Sequence, residues 1–234
     1  MDVRIEPQEW DSRHFGVKVA RLPEPPDPDA IGAGITASER AEVRCLVTLI
    51  ELDRTAVIVA AEAAGFRSYD VRLELDQAVG EAPAADSILA TEADLPRLES
   101  IARGTFHDSR FYADPNFSDE RAAEMYALWV RRGIDDDERV LLTTEERDGF
   151  IVGHLDDDRR VGTIDLIAVA DGARGRGVGA RLLEGAEATF AAAGLTRARV
   201  VTQARNIAAQ RLYQRRGYCT SAASLWLHRW ADQP

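Results

Sequence analysis

Hydrophobic positions along this chain switch between two spacings, and the switches mark its elements. Tyr69, Val71, Leu73 and Leu75 alternate with Ser68, Asp70, Arg72 and Glu74, the period-two signature of a half-buried strand over 67–75. Val178, Leu182, Ala186 and Phe190 instead recur every fourth residue, which predicts a helix over 176–193 that Gly194 ends. β-Branched runs predict strands at 43–49, 161–169 and 199–203, with a short one at 88–90. Leu225, Leu227 and Arg229 alternate against Trp226, His228 and Trp230, a last strand over 224–230. Strands at 140–144 and 149–155 read as a hairpin around Glu146-Arg147-Asp148-Gly149. Further helices are predicted over 53–64, closed by Gly65, and from the caps in 91–94 to Gly104. Two more follow, from Ser118 to Gly133 with Ala122, Met125, Tyr126 and Trp129, and over 206–216, ended by Gly217. Residues 1–21 read as a loop or turn feeding a strand with Val17 and Val19. The proline-rich stretch 22–28 is a connector, since proline removes a donor and fixes φ. The polar and small residues 77–86 form a linker, which separates 1–82 from 87–234. No internal repeat is visible.

Composition changes this picture little; charge changes it more. At 234 residues and 45% hydrophobic the chain is an ordinary globular protein, and no apolar run reaches the length of a membrane span. The first residues lack a signal core, so a cytoplasmic address is expected. Cys45 and Cys219 stand alone, with no CxxC and no metal spacing; both read as small buried residues in a reducing compartment, and no metal is expected. A net charge of −11 argues against nucleic acid or an anionic membrane as partner. Yet residues 171–217 hold nine arginines against three acids, a local +6 that leaves −17 for the rest. This basic stretch suits a small polyanion, or is a set of solvated helix faces.

The stretch coincides with a strand, a glycine-rich turn and a helix. The turn, Asp171-Gly172-Ala173-Arg174-Gly175-Arg176-Gly177-Val178-Gly179-Ala180, has glycines that permit φ > 0 and close approach of a ligand to the backbone. Successive amides at a helix N-terminus attract a phosphate or pyrophosphate. A dinucleotide-binding unit would need this loop near a first parallel strand, with an acid about 20 residues on; here hairpin strands come first. The Gly-Lys-Ser/Thr ending of a P-loop is absent.

Arg174-x-x-Gly177-x-Gly179 after a strand resembles the acyl-CoA loop of the GNAT N-acetyltransferases. About thirty residues later, Asn206-Ile207-Ala208-Ala209-Gln210-Arg211-Leu212-Tyr213-Gln214-Arg215-Arg216-Gly217-Tyr218 resembles that family's second signature. The likeness covers 87–234. It implies an α/β (α+β) fold with a central mixed, mostly antiparallel sheet flanked by helices, and acetyl-CoA as cosubstrate. Amides of Gly175, Gly177, Val178, Gly179 and Ala180 would hold its pyrophosphate, with side-chain charge from Arg174 and Arg176, unless Arg176 is merely solvated. The main chain of Ile167 and Val169, on a strand that splays from its neighbour, would take the pantetheine arm. Asn206 would contact the same arm or simply cap its helix, and Gln203 is a cofactor contact or structural. Tyr213, two helical turns beyond Asn206, matches the tyrosine that donates a proton to the leaving thiolate; read without the family, it is a core aromatic. A phenol near pKa 10 is protonated at neutral pH and suits that task. Neither cysteine has the context of a nucleophile, which agrees with direct attack by an amine.

Several stretches together also resemble one group within the family, the bacterial acetyltransferases of dTDP-linked 4-amino-4,6-dideoxyhexoses, over most of the chain with gaps at 22–40 and 77–86. The likeness rests on Ile5-Glu6-Pro7, Trp10, Phe15-Gly16-Val17, Phe106-x-x-Ser109-Arg110-Phe111, Tyr126-x-x-Trp129 and Arg199-Val200-x-Thr202-Gln203. It implies a small, truncated GNAT-like domain over 1–82 and a nucleotide-sugar substrate. Arg110 would offset the diphosphate, or form a surface ion pair. His107, Asp108, Ser109 and Tyr112 flank it as sugar or nucleotide contacts. Asp70 would orient the amine, or face outward from its strand. Other acceptors within the same chemistry are an aminoglycoside, a polyamine or a protein N-terminus; a non-catalytic acyl-CoA-binding module is a further reading. Trp226, Trp230 and the last strand serve a homodimer interface or finish the core.

Overall fold

The computed structural model describes residues 3–25, 27–80, 86–156, 158 and 160–232. Among the described residues ten strands form one sheet in the order β1-β2-β3-β10-β4-β9-β8-β7-β6-β5. In chain order the elements are β1 (Glu6–Pro7), α1 (Glu9–Phe15), β2 (Val19–Leu22), α2 (Asp29–Arg40), β3 (Cys45–Glu51), α3 (Thr55–Ala63) and β4 (Arg67–Ala78). Then follow β5 (Ile88–Leu89), α4 (Leu95–Arg103), α5 (Arg110–Ala113), α6 (Asp119–Asp135), β6 (Arg139–Thr143), β7 (Gly149–Asp156), β8 (Val161–Val169), α7 (Val178–Ala192), β9 (Arg197–Gln203), α8 (Ile207–Arg215) and β10 (Cys219–Trp230). Pairing is antiparallel except for β2 with β3 and β8 with β9. The mixed, mostly antiparallel sheet flanked by helices is therefore present.

The chain runs strand-helix-strand-helix-strand twice, as β2-α2-β3-α3-β4 and as β8-α7-β9-α8-β10. The two runs exchange their last strands: β10 pairs with β3 and β4, and β4 also pairs with β9. This repetition is topological and leaves no mark in the residue pattern. The expected linker 77–86 does not begin where the residues suggested: Gln77 and Ala78 continue β4 against β9, and Val79 N donates to Thr196 O at 3.0 Å. Residues 81–85, and Pro26 of the proline-rich connector, lie outside the described residues.

Three apolar clusters hold the layers. One joins α4 and α6 to the sheet through Leu98, Met125, Phe150 and Trp230. A second packs α7 and α8 on the opposite face through Leu182, Phe190, Val200 and Tyr213. The third fills the front with Leu22, Ile31, Leu46 and Leu227. Caps set the helix starts as read from the residues: Thr91 and Asp94 form a reciprocal capping box, and Ser118 Oγ accepts from Arg121 N at 3.3 Å.

Three further expectations fail, and one helix forms where none was assigned. Residues 9–15 are helix rather than loop, although α1 buries no residue and has no side-chain cap; its hold is aromatic, Phe15 stacking on Phe111 with centroids 5.1 Å apart. Helix α2, within the unassigned stretch before residue 41, follows the prolines directly. Gly133 does not end its helix: it lets α6 approach the sheet, where an added Cβ would sit 2.9 Å from Leu141 Cβ. Cys219 is exposed, because it opens β10 at the solvent end of the strand, while Cys45 is buried.

Candidate active site

The loop after β8 and the strand itself build one half of the site. Strands β8 and β9 pair in parallel only from Val161–Arg197 to Ile164–Val200. The register of β8 on β7 slips between Val152 and Gly153, which leaves Asp165 as the extra residue of a bulge. One extra residue reverses which face each later side chain meets. Ile164 accordingly packs in the α7 cluster, while Leu166 and Ala168 pack on the α6 side. Beyond the bulge, Ile167 and Val169 keep β7 on one side and have no strand on the other. A polar backbone edge is thereby open to a ligand beside β9.

Gly175 and Gly177 adopt φ of 77° and 79°, a region that side chains with a Cβ rarely enter. The turn they make delivers the start of α7 to the open edge. Among the described residues the amides of Gly175, Arg176, Gly177, Val178 and Gly179 make no hydrogen bond, so they are available to an anion. Ala180 is not: its N–H donates to Gly177 O at 3.0 Å. Arg174 is tied to Asp171 at 2.9 Å, with its Nε 3.4 Å from Val169 O, and so braces the loop. Arg176 is exposed, and only its carbonyl is engaged, by Arg181 at 3.3 Å. Other arginines of the basic stretch are committed elsewhere: Arg216 to Glu184 and Glu187, and Arg199 to Asp76.

Asn206 caps α8, its Oδ1 accepting from Ala209 N at 3.0 Å. Gln203 lies at the end of β9, opposite Arg72, and its carbonyl accepts from Asn206 N at 2.9 Å. Tyr213 is 2% exposed, in the same cluster that Ile167 and Val169 pack against, and burial pushes its phenol above the usual range. It is a proton donor throughout the neutral range.

The other half of the site lies where β4 emerges beside the turn after β9. Asp70, opposite Trp226 on β10, is 4% exposed, which excludes an outward-facing carboxylate. Its Oδ1 has no hydrogen-bond partner, and Arg205 Nε stops 4.0 Å away. Burial pushes its pKa up to about 6, against the pull of Arg205 and Arg110. Arg110 is half-buried, and desolvation of its guanidinium pushes its pKa down. It makes no ion pair with a carboxylate among the described residues, so the surface ion pair is also excluded. Its guanidinium carbon lies 4.1 Å from the Phe111 ring centre and 4.4 Å from that of Trp226. Ser109 Oγ is buried beside the Tyr126 phenol without a well-formed hydrogen bond, and burial pushes Tyr126 up to about 12. His107 and Tyr112 meet edge to face at 4.6 Å, but His107 is exposed and neither is hydrogen-bonded to Asp70 or Arg110.

Several participants escaped the reading of the residues. Asp11, on the unforeseen α1, feels the charges of Arg110, His14 and Arg132, and burial nevertheless raises its pKa. Asp114 and His228 form a buried pair at 2.7 Å. The alternation of Trp226, His228 and Trp230 was visible, and it is this face that meets Arg110 and Asp114; Trp230, 8% exposed, finishes the core. No group of three or more His, Cys, Asp or Glu among the described residues is placed to hold a metal, and no described helix is long and apolar enough to cross a membrane.

Residues 100–218 match the model of the acetyltransferase (GNAT) family. Over 239 residues, 96% of this chain and 97% of the relative, the sequence is 29% identical to a dTDP-fucosamine acetyltransferase of Escherichia coli O6:H1 (strain CFT073). It is 27% identical over 141 residues to the spore coat polysaccharide biosynthesis protein SpsD of Bacillus subtilis (strain 168), covering 58% of this chain and 48% of that protein. Among solved structures, a GCN5-related N-acetyltransferase from Sphaerobacter thermophilus superposes with a TM-score of 0.66 at 16% identity, covering 98% of this chain and 76% of that one, a likeness of fold.

Proposed function

The chain belongs to the acetyltransferase (GNAT) family and is an acetyl-CoA-dependent N-acetyltransferase, and on that premise we propose that its acceptor is the 4-amino group of a dTDP-linked 4-amino-4,6-dideoxyhexose. The observation that carries this reading is a pair of opposite charges at one end of the sheet, neither of which is hydrogen-bonded to a group of opposite charge. Asp70 offers a buried Oδ1 with no hydrogen bond, Arg205 standing 4.0 Å off, and Arg110 a guanidinium that pairs with no carboxylate among the described residues. An acceptor that is amine at one end and anion at the other satisfies both; a polyamine satisfies only the first. The whole-length likeness to an enzyme named for a dTDP-amino sugar supports the same acceptor.

In this proposal the amides of Gly175, Gly177, Val178 and Gly179 bind the pyrophosphate of acetyl-CoA, and the open edge at Ile167 and Val169 aligns the pantetheine arm. Asn206, already a cap, and Gln203 border that arm. The thioester supplies the carbonyl carbon that the amine attacks. Asp70 orients the amine, and Tyr213, protonated at neutral pH, gives its phenolic proton to the departing thiolate as the C–S bond breaks; the proton the amine sheds on forming the amide leaves to solvent, from which the phenol is reprotonated. Arg110 balances the diphosphate; Ser109 and Tyr112 border the sugar, with His107 at the exposed rim. The segment 1–82, interleaved with 87–234 in one sheet by the exchange of β4 and β10, completes the acceptor side through α1 and β4.

Incubation with acetyl-CoA and a panel of nucleotide amino sugars, aminoglycosides and polyamines, followed by thiol release, tests this. Turnover is expected with the dTDP-4-amino sugars. Silence there with turnover on an aminoglycoside would replace the acceptor and leave the acetyl-transfer half intact.

A further inference from the structure

Arg110 is held by a line of buried side chains that the acetyl-transfer chemistry does not use. Its Nη1 donates to His228 Nε2 at 3.0 Å, across a sequence separation of 118 residues. The His228 side chain is fully enclosed, and its Nδ1 donates to Asp114 Oδ2 at 2.7 Å. The same carboxylate oxygen accepts from Trp230 Nε1 at 2.9 Å. Asp114 Oδ1 takes Asn116 N at 3.1 Å and Asn116 Nδ2 at 2.8 Å. Tyr69 stacks over the imidazole at 4.8 Å.

Each group dictates the state of the next. Burial pushes the His228 pKa down to about 4, with Arg110 pushing the same way against Asp114, so the ring is neutral near pH 7. A neutral imidazole that has given its Nδ1–H to a carboxylate presents Nε2 as a lone pair, which is what an arginine N–H requires. A carboxylate placed directly on Arg110 would fix the side chain too, but it would occupy the guanidinium fork and cancel its charge. The interposed neutral ring orients the guanidinium and leaves the charge for a ligand. This is the only hydrogen bond that the Arg110 side chain makes among the described residues.

We propose that Asp114 and His228 are positioning residues that hold Arg110 as an oriented, uncancelled cation for the acceptor's diphosphate, and so set acceptor affinity without touching the acceptor. The inference rests on the nucleotide-linked acceptor proposed above.

Titration calorimetry with dTDP on the full chain tests it, using the wild type, Arg110→Ala, His228→Leu, His228→Gln and Asp114→Asn. The wild type is expected to bind. His228→Leu and Asp114→Asn should weaken dTDP by about ten-fold or more, the scale of one hydrogen bond to a charged group, and Arg110→Ala at least as far. His228→Gln, whose amide oxygen can still accept from Arg110, should recover most of the loss. Affinity for coenzyme A, titrated in the same variants, should not move; a merely structural role would weaken both ligands together. If His228→Leu does not fold, Asp114→Asn carries the test, since it keeps the shape and frees the imidazole tautomer. Unchanged dTDP affinity in Asp114→Asn beside a weakened Arg110→Ala would overturn the positioning role and leave the acceptor standing. A wild type that does not bind dTDP would overturn both.

Discussion

The two strand-helix-strand runs of this molecule share a topology and differ in chemistry. In the front run, β2 pairs with β3 along its whole length, from Val19–Cys45 to Leu22–Thr48. The connection into α2 is proline-rich, and its first donors are spent locally: Ala30 N bonds Asp27, and Ile31 N bonds Pro28 O at 3.3 Å. In the rear run, the bulge at Asp165 parts β8 from β9 after Ile164, and two left-handed glycines leave five amides open. The same path of the chain is therefore closed in front and open behind, at the edge proposed to take acetyl-CoA. Fold by itself does not confer the site; one extra residue in a strand and the residue type of a turn do.

The sharpest way to break this contrast is Tyr213→Phe, which removes the proposed proton donor and keeps the ring. It should lower kcat by about 100-fold or more with acetyl-CoA affinity unchanged, read by steady-state kinetics and calorimetry. Asp70→Asn should lower kcat/KM for the acceptor by about ten-fold or more, the scale of a charged hydrogen bond. The wild type should show an acid limb in kcat/KM near pH 6, where the folded carboxyl takes up its proton, and Asp70→Asn should lack it. In stability the same group acts in the other direction. Its folded pKa of about 6 lies above 3.8, so its contribution is fully present below about 3.8 and lost as pH rises through about 6. Gly177→Ala places a Cβ at φ 79°, a strain of about 1–2 kcal/mol, and should raise the acetyl-CoA KM by about ten-fold. Gly34→Ala in the front helix should leave turnover alone. Its Cβ would lie 2.7 Å from the buried Leu22 Cδ1, an overpacking cost of about 1–3 kcal/mol visible as a lower Tm.

The rear run was legible because its signals are local. A β-branched run, a glycine turn and a four-residue apolar spacing lie within 161–190, and Asn206 and Tyr213 share one helix. The front was less so. Helix α1 has no side-chain cap and buries nothing; α2 does carry a start signal, Asp27 Oδ1 accepting from Ala30 N with Pro28 at the helix start, but the run of prolines before it reads as a connector. The acceptor side is assembled from distant parts: Asp114 reaches His228 across 114 residues, and no local pattern announces that meeting. Nor does any residue type mark Asp165 as the bulge, since that is decided by pairing with β7 and α7 packing.

Amide hydrogen exchange with and without coenzyme A tests the central contrast most directly. Slowed exchange confined to the rear edge and loop, residues 165–180, and to the start of α8, with none at residues 19–30, is the predicted result. Protection at the front connection, or none at Gly175–Gly179, would contradict it.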